Sequence, residues 1–390
     1  MTTVLSMPQG GKSDTETVAP GPELTASGTG VGWPTDTVEI MIGLLTLNNA
    51  GNIEPVLRSV VEGVRQCFPN ASALLVNCDA GSQDDTPGII TRLAEGVIPV
   101  CPVSNASGTF THLNREPGFP GRDESIQNFC LTAQRLRPKV CLILEGQLRS
   151  VSPAWIDQLG RPVYEQGEDY VVPLYRRHRY EGTLATNLLY PLTRALYGKR
   201  LRYPSGGAYG LSGKFAGDVI TRQTWRGAAA GYSVDSRLTT AALAGGYRVC
   251  HTCLGTRDQD TKLGSVDLSV VIAQTVGGIF HSMEEYESSW ETIKASSEVP
   301  LYGDPEAAPD SAPLHTGRMM SGFKQGLRDL LPLWELILSR DTVGQIMALD
   351  IQDPEDFRFP PALWVQTVYD FALAYHNQTL HREHMLKALT

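Results

Sequence analysis

VEIMIGLLTLNNAGNIEPVLRSVVEGVRQCFPNASALLVNCDAGSQDDT, residues 38–86, decides the fold. An apolar run over 38–47 is followed by apolar residues at helical spacing, Ile53, Val56, Leu57, Val60, Val61 and Val64, which reads as strand then helix. A second run over 73–76 leads into Asp79-Ala80-Gly81-Ser82-Gln83-Asp84-Asp85-Thr86, after which Ile89, Ile90, Leu93 and Ala94 again keep helical spacing. Further on, a Gly/Pro-rich loop near 117–122 precedes an expected helix over 124–136 and an apolar run over 140–144. Strands alternating with helices fold as a mostly parallel sheet covered by helices, so an α/β, Rossmann-like class is expected.

Outward from this core, residues 168–260 mix short strands with an apolar helix over 183–197 and glycine turns at Ser205-Gly206-Gly207 and Gly245-Gly246. Beyond about 265 helical patterns dominate, over 268–281, 323–339, 342–349 and 363–376, and the Pro-rich stretch 300–313 is the linker candidate among them. Residues 1–36 are rich in Gly, Ser, Thr and Pro without an apolar face, and read as a disordered leader. No internal repeat is found.

With 390 residues of which 42% are hydrophobic, the chain has enough apolar surface for a large core, and a net charge of -9 argues against a nucleic-acid binder. No apolar run is long enough to cross a bilayer and no secretion-signal pattern opens the chain, so a cytoplasmic protein that does not enter membranes is expected. Its seven cysteines, an odd number in apolar segments, read as reduced thiols. Cys250 and Cys253 have metal-like spacing, but His251 beside a lone pair does not complete a zinc site.

In an open α/β sheet ligands settle over the carboxyl ends of the strands, so the residues just after each apolar run are the informative ones. They are Leu47-Asn48-Asn49, the segment from Asp79 to Thr86, and Glu145-Gly146-Gln147. A carboxylate at Asp79 accepts hydrogen bonds from a base or ribose, and Gly81 with Ser82 lets backbone approach a ligand. Equally, Asp79 satisfies a turn and Asp84 caps the following helix.

The order TLNNAGNI, then NCDAGSQDDT, resembles the start of GT-A-fold glycosyltransferases. More narrowly, Phe119-Pro120-Gly121-Arg122, the segment Tyr190-Pro191-Leu192-Thr193-Arg194-Ala195-Leu196-Tyr197-Gly198, the glycine turn at 205–212 and Gly231-Tyr232-Ser233-Val234-Asp235 resemble the glucosyl-3-phosphoglycerate, glucosylglycerate and mannosylglycerate synthase group. The likeness runs through Trp364, Tyr369-Asp370-Phe371 and His376.

That resemblance implies a GT-A catalytic domain over 37–265 and a helical C-terminal region over 266–390. It implies a retaining transferase moving sugar from a nucleotide donor, UDP- or GDP-linked, to a small carboxylate-bearing acceptor such as glycerate or 3-phosphoglycerate. Leu47, Asn48, Asn49, Asp79 and Gly81 then hold the nucleoside, Arg122 stands where the group has a lysine beside the diphosphate, Gly206 and Gly207 shape the sugar pocket, and Asp235 lies near the acceptor. A plain salt-bridged or capping aspartate is the bland reading of Asp235. A homodimer is implied by the resemblance alone, and Tyr369, Asp370 and His376 read mainly as packing or interface residues.

The sequence departs from the group where GT-A enzymes carry Asp-x-Asp: here Glu145-Gly146-Gln147 stands instead, the downstream histidine aligns with Gln259, and an acid after the glycine pair is replaced by Ala208. Glutamine is a poor hard-cation ligand, which leads to the expectation of no metal and no other cofactor, with arginines stabilising the leaving diphosphate. The candidates are Arg122, the run containing Arg177 and Arg179, Lys199-Arg200 and Arg257, the bland reading of the run being a solvated strand end. Such divergence also admits a natural-product thiol acceptor such as ergothioneine. From another class, a catalytically silent nucleotide-sugar-binding scaffold fits the same residues.

Overall fold

The computed structural model describes residues 37–104, 121–177, 181–202, 206–221, 233–258, 268–305, 316–352 and 357–389. The expected leader, the residues just before Gly121, Arg179, Ser205 and Gln259 lie outside them. The chain alternates β1 (Ile40–Thr46), α1 (Ile53–Cys67), β2 (Ala73–Asp79), α2 (Thr86–Ala94), β3 (Val100–Ser104), α3 (Arg122–Leu136), β4 (Val140–Glu145), α4 (Pro153–Tyr164) and β5 (Tyr170–Arg176). A π-helical turn (Ala185–Leu189) then runs into α5 (Tyr190–Tyr197), followed by β6 (Ala208–Ser212), α6 (Gly213–Val219), α7 (Val234–Ala244) and β7 (Val249–Thr256). Last come α8 (Leu268–Glu285), α9 (Glu287–Trp290), β8 (Leu301–Tyr302), α10 (Thr316–Ile337), α11 (Arg340–Ala348), α12 (Pro361–His376) and α13 (Arg382–Leu389).

Among the described residues the strands form one sheet in the order β3-β2-β1-β4-β6-β5-β7-β8. All pairings are parallel except those of β6, which runs antiparallel to both β4 and β5. The expected α/β class with a mostly parallel sheet is therefore found. Period-2 alternation sorts the strands: Met41 and Leu45 of β1 join the core under α3, α6 and α7, whereas Ile40, Ile42 and Leu44 join the core under α1, α2 and α4.

A third core gathers the π-helical turn, α5, α8 and α10–α13. The π-helical turn has the Asn187 carbonyl accepting from Trp364 Nε1 at 2.9 Å, tying α12 to it. Asp370, expected as packing, accepts from the Ser339 backbone and from Thr342, and so seats α11 against α12. The boundary at 265/266 is crossed by hydrogen bonds: β8 pairs in parallel with β7, and Ser297 bridges to Lys199. Part of the expected linker is thus this edge strand, because Leu301 and Tyr302 find an open ladder on β7.

Among the described residues no helix is long and apolar enough to cross a membrane. The cysteines are all free, and Cys250 and Cys253 are buried in β7.

Candidate functional site

Strands β1, β2 and β4 end side by side, with Thr46 in register with Asp79 and Leu45 with Glu145. Two loops rise from the first pair and are joined by side chains that satisfy backbone donors. The Asn48 N–H donates to Ser82 Oγ at 2.9 Å, Asn49 N–H to Thr86 Oγ1 at 2.7 Å, and Ala50 N–H to Asp84 Oδ2 at 2.9 Å. In return Asn48 Oδ1 accepts from the Gln83 N–H at 2.8 Å, and Asn48 holds φ at 54°, a conformation asparagine tolerates better than most residues. Partial burial would raise the Asp84 pKa, but hydrogen bonds from Thr86 and Ala50 hold its carboxyl below the ordinary value.

Asp79 is buried and closes this double loop. Its Oδ1 accepts from Thr46 and Ser82 hydroxyls at 3.0 and 2.6 Å, and its Oδ2 from the Gly81 and Ser82 N–H groups at 3.0 and 2.8 Å. These bonds match the turn reading and commit both oxygens. Gly81, by contrast, is exposed at φ 97° with open space where a side chain would stand. Asn52 Nδ2 donates to the Gly146 carbonyl at 2.7 Å, joining the double loop to the end of β4.

At that end an ionic cluster is buried. Arg122, the first residue of α3, is 2% exposed and donates from Nε to Glu145 Oε1 at 2.6 Å and from Nη2 to Asp235 Oδ1 at 2.8 Å. Burial alone would push the Arg122 pKa down, but the Asp235 and Glu145 carboxylates with Tyr209 outweigh it and raise it well above the ordinary arginine value. Glu145 Oε2 accepts from Gln147 Nε2 at 2.9 Å and lies 3.8 Å from Arg257 Nη2. Arg257 arrives from the end of β7, whose following residue Asp258 is held by Ser150 and the Arg149 N–H. Beside the Arg122–Asp235 bond, a second pair joins the same two helices, Arg237 of α7 with Asp123 of α3.

The turn preceding β6 closes the cluster. Gly207 has φ 72°, and a Cβ there would lie 3.0 Å from both Arg257 Nη2 and Glu145 Oε2, so only glycine lets the backbone come this near. Gly206 is held through its N–H by Tyr209 Oη and through its C=O by Tyr175 Oη. Arg177 lies 5.4 Å from the Tyr175 ring centroid and Arg257 5.8 Å from it.

Arg122, Glu145, Gln147, Asp235, Gly206, Gly207, Arg257 and Arg177 therefore come together, with Leu47, Asn48, Asn49, Asp79, Gly81 and Gly146 forming the adjoining double loop. Arg122, expected beside the diphosphate, is buried against Glu145 and Asp235, because it begins a helix that packs on the sheet. Arg257 keeps 23% of its side chain exposed. Tyr175 and Tyr209 escaped the sequence reading. The signal for Tyr209 lay in Gly206-Gly207-Ala208-Tyr209-Gly210, where an aromatic follows a glycine turn at strand spacing.

A helix-covered, mostly parallel sheet with an arginine-bearing polar cluster at the carboxyl ends of β1, β2 and β4 defines an α/β protein. No family model matches the chain, and no curated protein matches it. Among solved structures it is similar to glucosyl-3-phosphoglycerate synthase from Mycobacterium tuberculosis in complex with Mn2+, UDP and phosphoglyceric acid, at 19% identity over 64% of this chain and 78% of that one, with a TM-score of 0.42. The same synthase with Mg2+ and UDP gives 18% identity, 64% and 80% coverage and a TM-score of 0.40. A mycobacterial protein gives 17%, 64%, 75% and 0.40. So loose a likeness carries no residue assignments.

The synthase structures do hold Mn2+ or Mg2+ beside UDP, and that overturns the expectation of no cofactor metal. In this chain Glu145 spends one oxygen on Arg122 and the other on Gln147 and Arg257, and among the described residues no group of three His, Cys, Asp or Glu is placed to hold a metal ion. As arranged, these side chains do not fit a divalent cation, which would have to displace Gln147 or Arg257 from Glu145.

Proposed function

We propose that the chain is a glycosyltransferase that binds a nucleoside-diphosphate sugar over the ends of β1, β2 and β4 and transfers the sugar to a small carboxylate-bearing acceptor. The observation that carries this reading is Arg257: a guanidinium at the strand ends, 3.8 Å from Glu145 and partly exposed, in a cluster where Arg122 is committed to Glu145 and Asp235. A diphosphate offers Arg257 two or more oxygens in fork geometry where Glu145 offers a long contact, so the cation exchanges partner when the donor enters. The nucleoside lies along the double loop at Asn48 and Gly81, and the sugar lies against Gly207.

In the reaction, the bond from the anomeric carbon to the β-phosphate oxygen breaks as the acceptor's oxygen or sulfur bonds to that carbon. The acceptor's proton passes to the departing phosphate oxygen, and Arg257 stabilises the charge that remains. Attack and departure on one face retain the anomeric configuration. Asp235, oriented by Arg122 and Tyr209, stands at the acceptor side to receive a hydroxyl.

Calorimetric titration with UDP, GDP and their sugars, with and without Mn2+, tests the reading; turnover is then assayed with 3-phosphoglycerate, glycerate and ergothioneine. Micromolar binding of one nucleotide with transfer to any acceptor supports it. Binding without turnover favours the silent scaffold, and binding of neither nucleotide sinks both. The finer parts of the same proposal are a GDP donor with a thiol acceptor, a homodimer and a cytoplasmic site of action. Val365, Tyr369 and Leu373, exposed along one face of α12, support self-association.

A further inference from the structure

The Gly206 backbone is gripped on both of its polar groups. Its N–H donates to Tyr209 Oη at 2.8 Å, and its C=O accepts from Tyr175 Oη at 2.8 Å. Glycine is required there, since a Cβ would lie 2.3 Å from Pro173 Cγ. The next residue, Gly207, accepts from the Glu145 N–H at 3.3 Å, and a side chain there would run into the Glu145 carboxylate and Arg257. Whatever sets Gly206 therefore sets the backbone that faces Glu145 and Arg257, while Tyr209 ties the same turn to Asp235.

Each tyrosine has a second commitment within the cluster. Tyr209 donates its proton to Asp235 Oδ1 at 2.6 Å, leaving a lone pair for the Gly206 N–H, and its ring stacks on Tyr170 with centroids 5.7 Å apart. Tyr175 is 3% exposed, and its ring is shared by the Arg177 and Arg257 guanidiniums on one hand and by Trp155, 5.7 Å away, on the other. Burial, and for Tyr209 the nearby Asp235 charge, push both phenol pKa values up, so both stay protonated and able to donate at any physiological pH.

We propose that Tyr175 and Tyr209 are positioning residues whose hydroxyls hold the Gly206–Gly207 turn against the sugar and the acceptor, while the Tyr175 ring separately aims Arg257 and Arg177 at the diphosphate. The proposal rests on the nucleotide-sugar reading above and divides it in two. Hydroxyls govern the geometry of transfer, and the ring governs affinity for the nucleotide. One residue, Tyr175, does both through different atoms.

The test uses the full chain with Tyr175→Phe, Tyr209→Phe, both together, and Tyr175→Leu. The phenylalanine variants keep each ring, so UDP or GDP dissociation constants stay within about twofold, while kcat on the corresponding nucleotide-glucose falls about tenfold, the effect of one lost hydrogen bond that orients reacting groups. Because both hydroxyls hold a single residue, the double variant loses less than the product of the single losses. Tyr175→Leu removes two cation–π contacts and weakens nucleotide binding about tenfold. Independently of any ligand, amide exchange at Gly206 quickens about tenfold in Tyr209→Phe. A Gly206 amide that exchanges at the parent rate, or phenylalanine variants with parent kcat, overturns the proposal. A parent protein that binds neither nucleotide, with Gly206 exchange still dependent on Tyr209, leaves the grip standing and removes the proposed function instead.

Discussion

Replacing Arg122 by methionine separates a cation that holds the site from one that binds the ligand. The change keeps much of the side-chain volume and deletes the charge lying between Glu145 at 2.6 Å and Asp235 at 2.8 Å, with side-chain exposures of 3% and 11%. Removing one partner of a buried ionic pair costs about 3–5 kcal/mol, because the remaining charge stays buried without compensation. Arg257, 3.8 Å from Glu145, compensates one of the two acids in part, and Asp235 keeps the neutral Tyr209 hydroxyl, so the full range applies. Against a total stability of about 5–15 kcal/mol the loss is large. Urea unfolding followed by circular dichroism measures this loss. The triple change Arg122→Met, Glu145→Gln, Asp235→Asn, which removes every charge of the cluster's buried part, is expected to restore most of the loss. An Arg122→Met protein within about 1 kcal/mol of the parent that binds nucleotide tenfold more weakly would refute the reasoning, and would make Arg122 a ligand cation after all.

Arg257→Ala is expected to weaken UDP or GDP binding by about 1.5–3 kcal/mol in calorimetry, the value of a charged hydrogen bond, with a stability change below about 0.5 kcal/mol since its contact with Glu145 is long and partly exposed. Burial lowers the His251 pKa from 6.5 to about 4, so the unfolded chain takes up a proton first as pH falls through that window. Stability from this group is complete above pH 6.5 and is lost on the way to 4; at pH 5 the loss is about 2 kcal/mol, and a His251→Gln variant unfolded in urea should lack that slope. Ser82→Ala deletes the acceptor for the Asn48 N–H and a donor to Asp79, and should raise the nucleotide dissociation constant by about threefold to tenfold while leaving kcat unchanged. Tyr369→Glu on α12 is expected to lower the light-scattering mass from dimer to monomer, and an unchanged mass would remove that face from the interface.

Much of the architecture was legible because its signals are local. The runs at 38–47, 73–76 and 140–144 became β1, β2 and β4, and the apolar spacing at 363–376 became α12. Helix α4 was not read, as Pro162 and Gly160 interrupt its pattern, and the reversal of β6 depends on which neighbours it meets rather than on its own residues. At the site, the sequence displayed the charges but not their pairing. Arg122 and Asp235 are 113 positions apart, and only the folded chain shows that the arginine at the start of α3 is spent on the aspartate of α7. The cost of a buried charge, not its sequence neighbourhood, decides that.

The two margins of the sheet bear on how copies of this protein meet. β3 carries Pro102, which lacks an amide hydrogen, and β8 is two residues long. Among the described residues neither margin offers a long run of free peptide groups to template another strand, which disfavours extension of the sheet from molecule to molecule. Contacts between copies through the described surface then fall to side chains on the helices, where a single charge can weaken them.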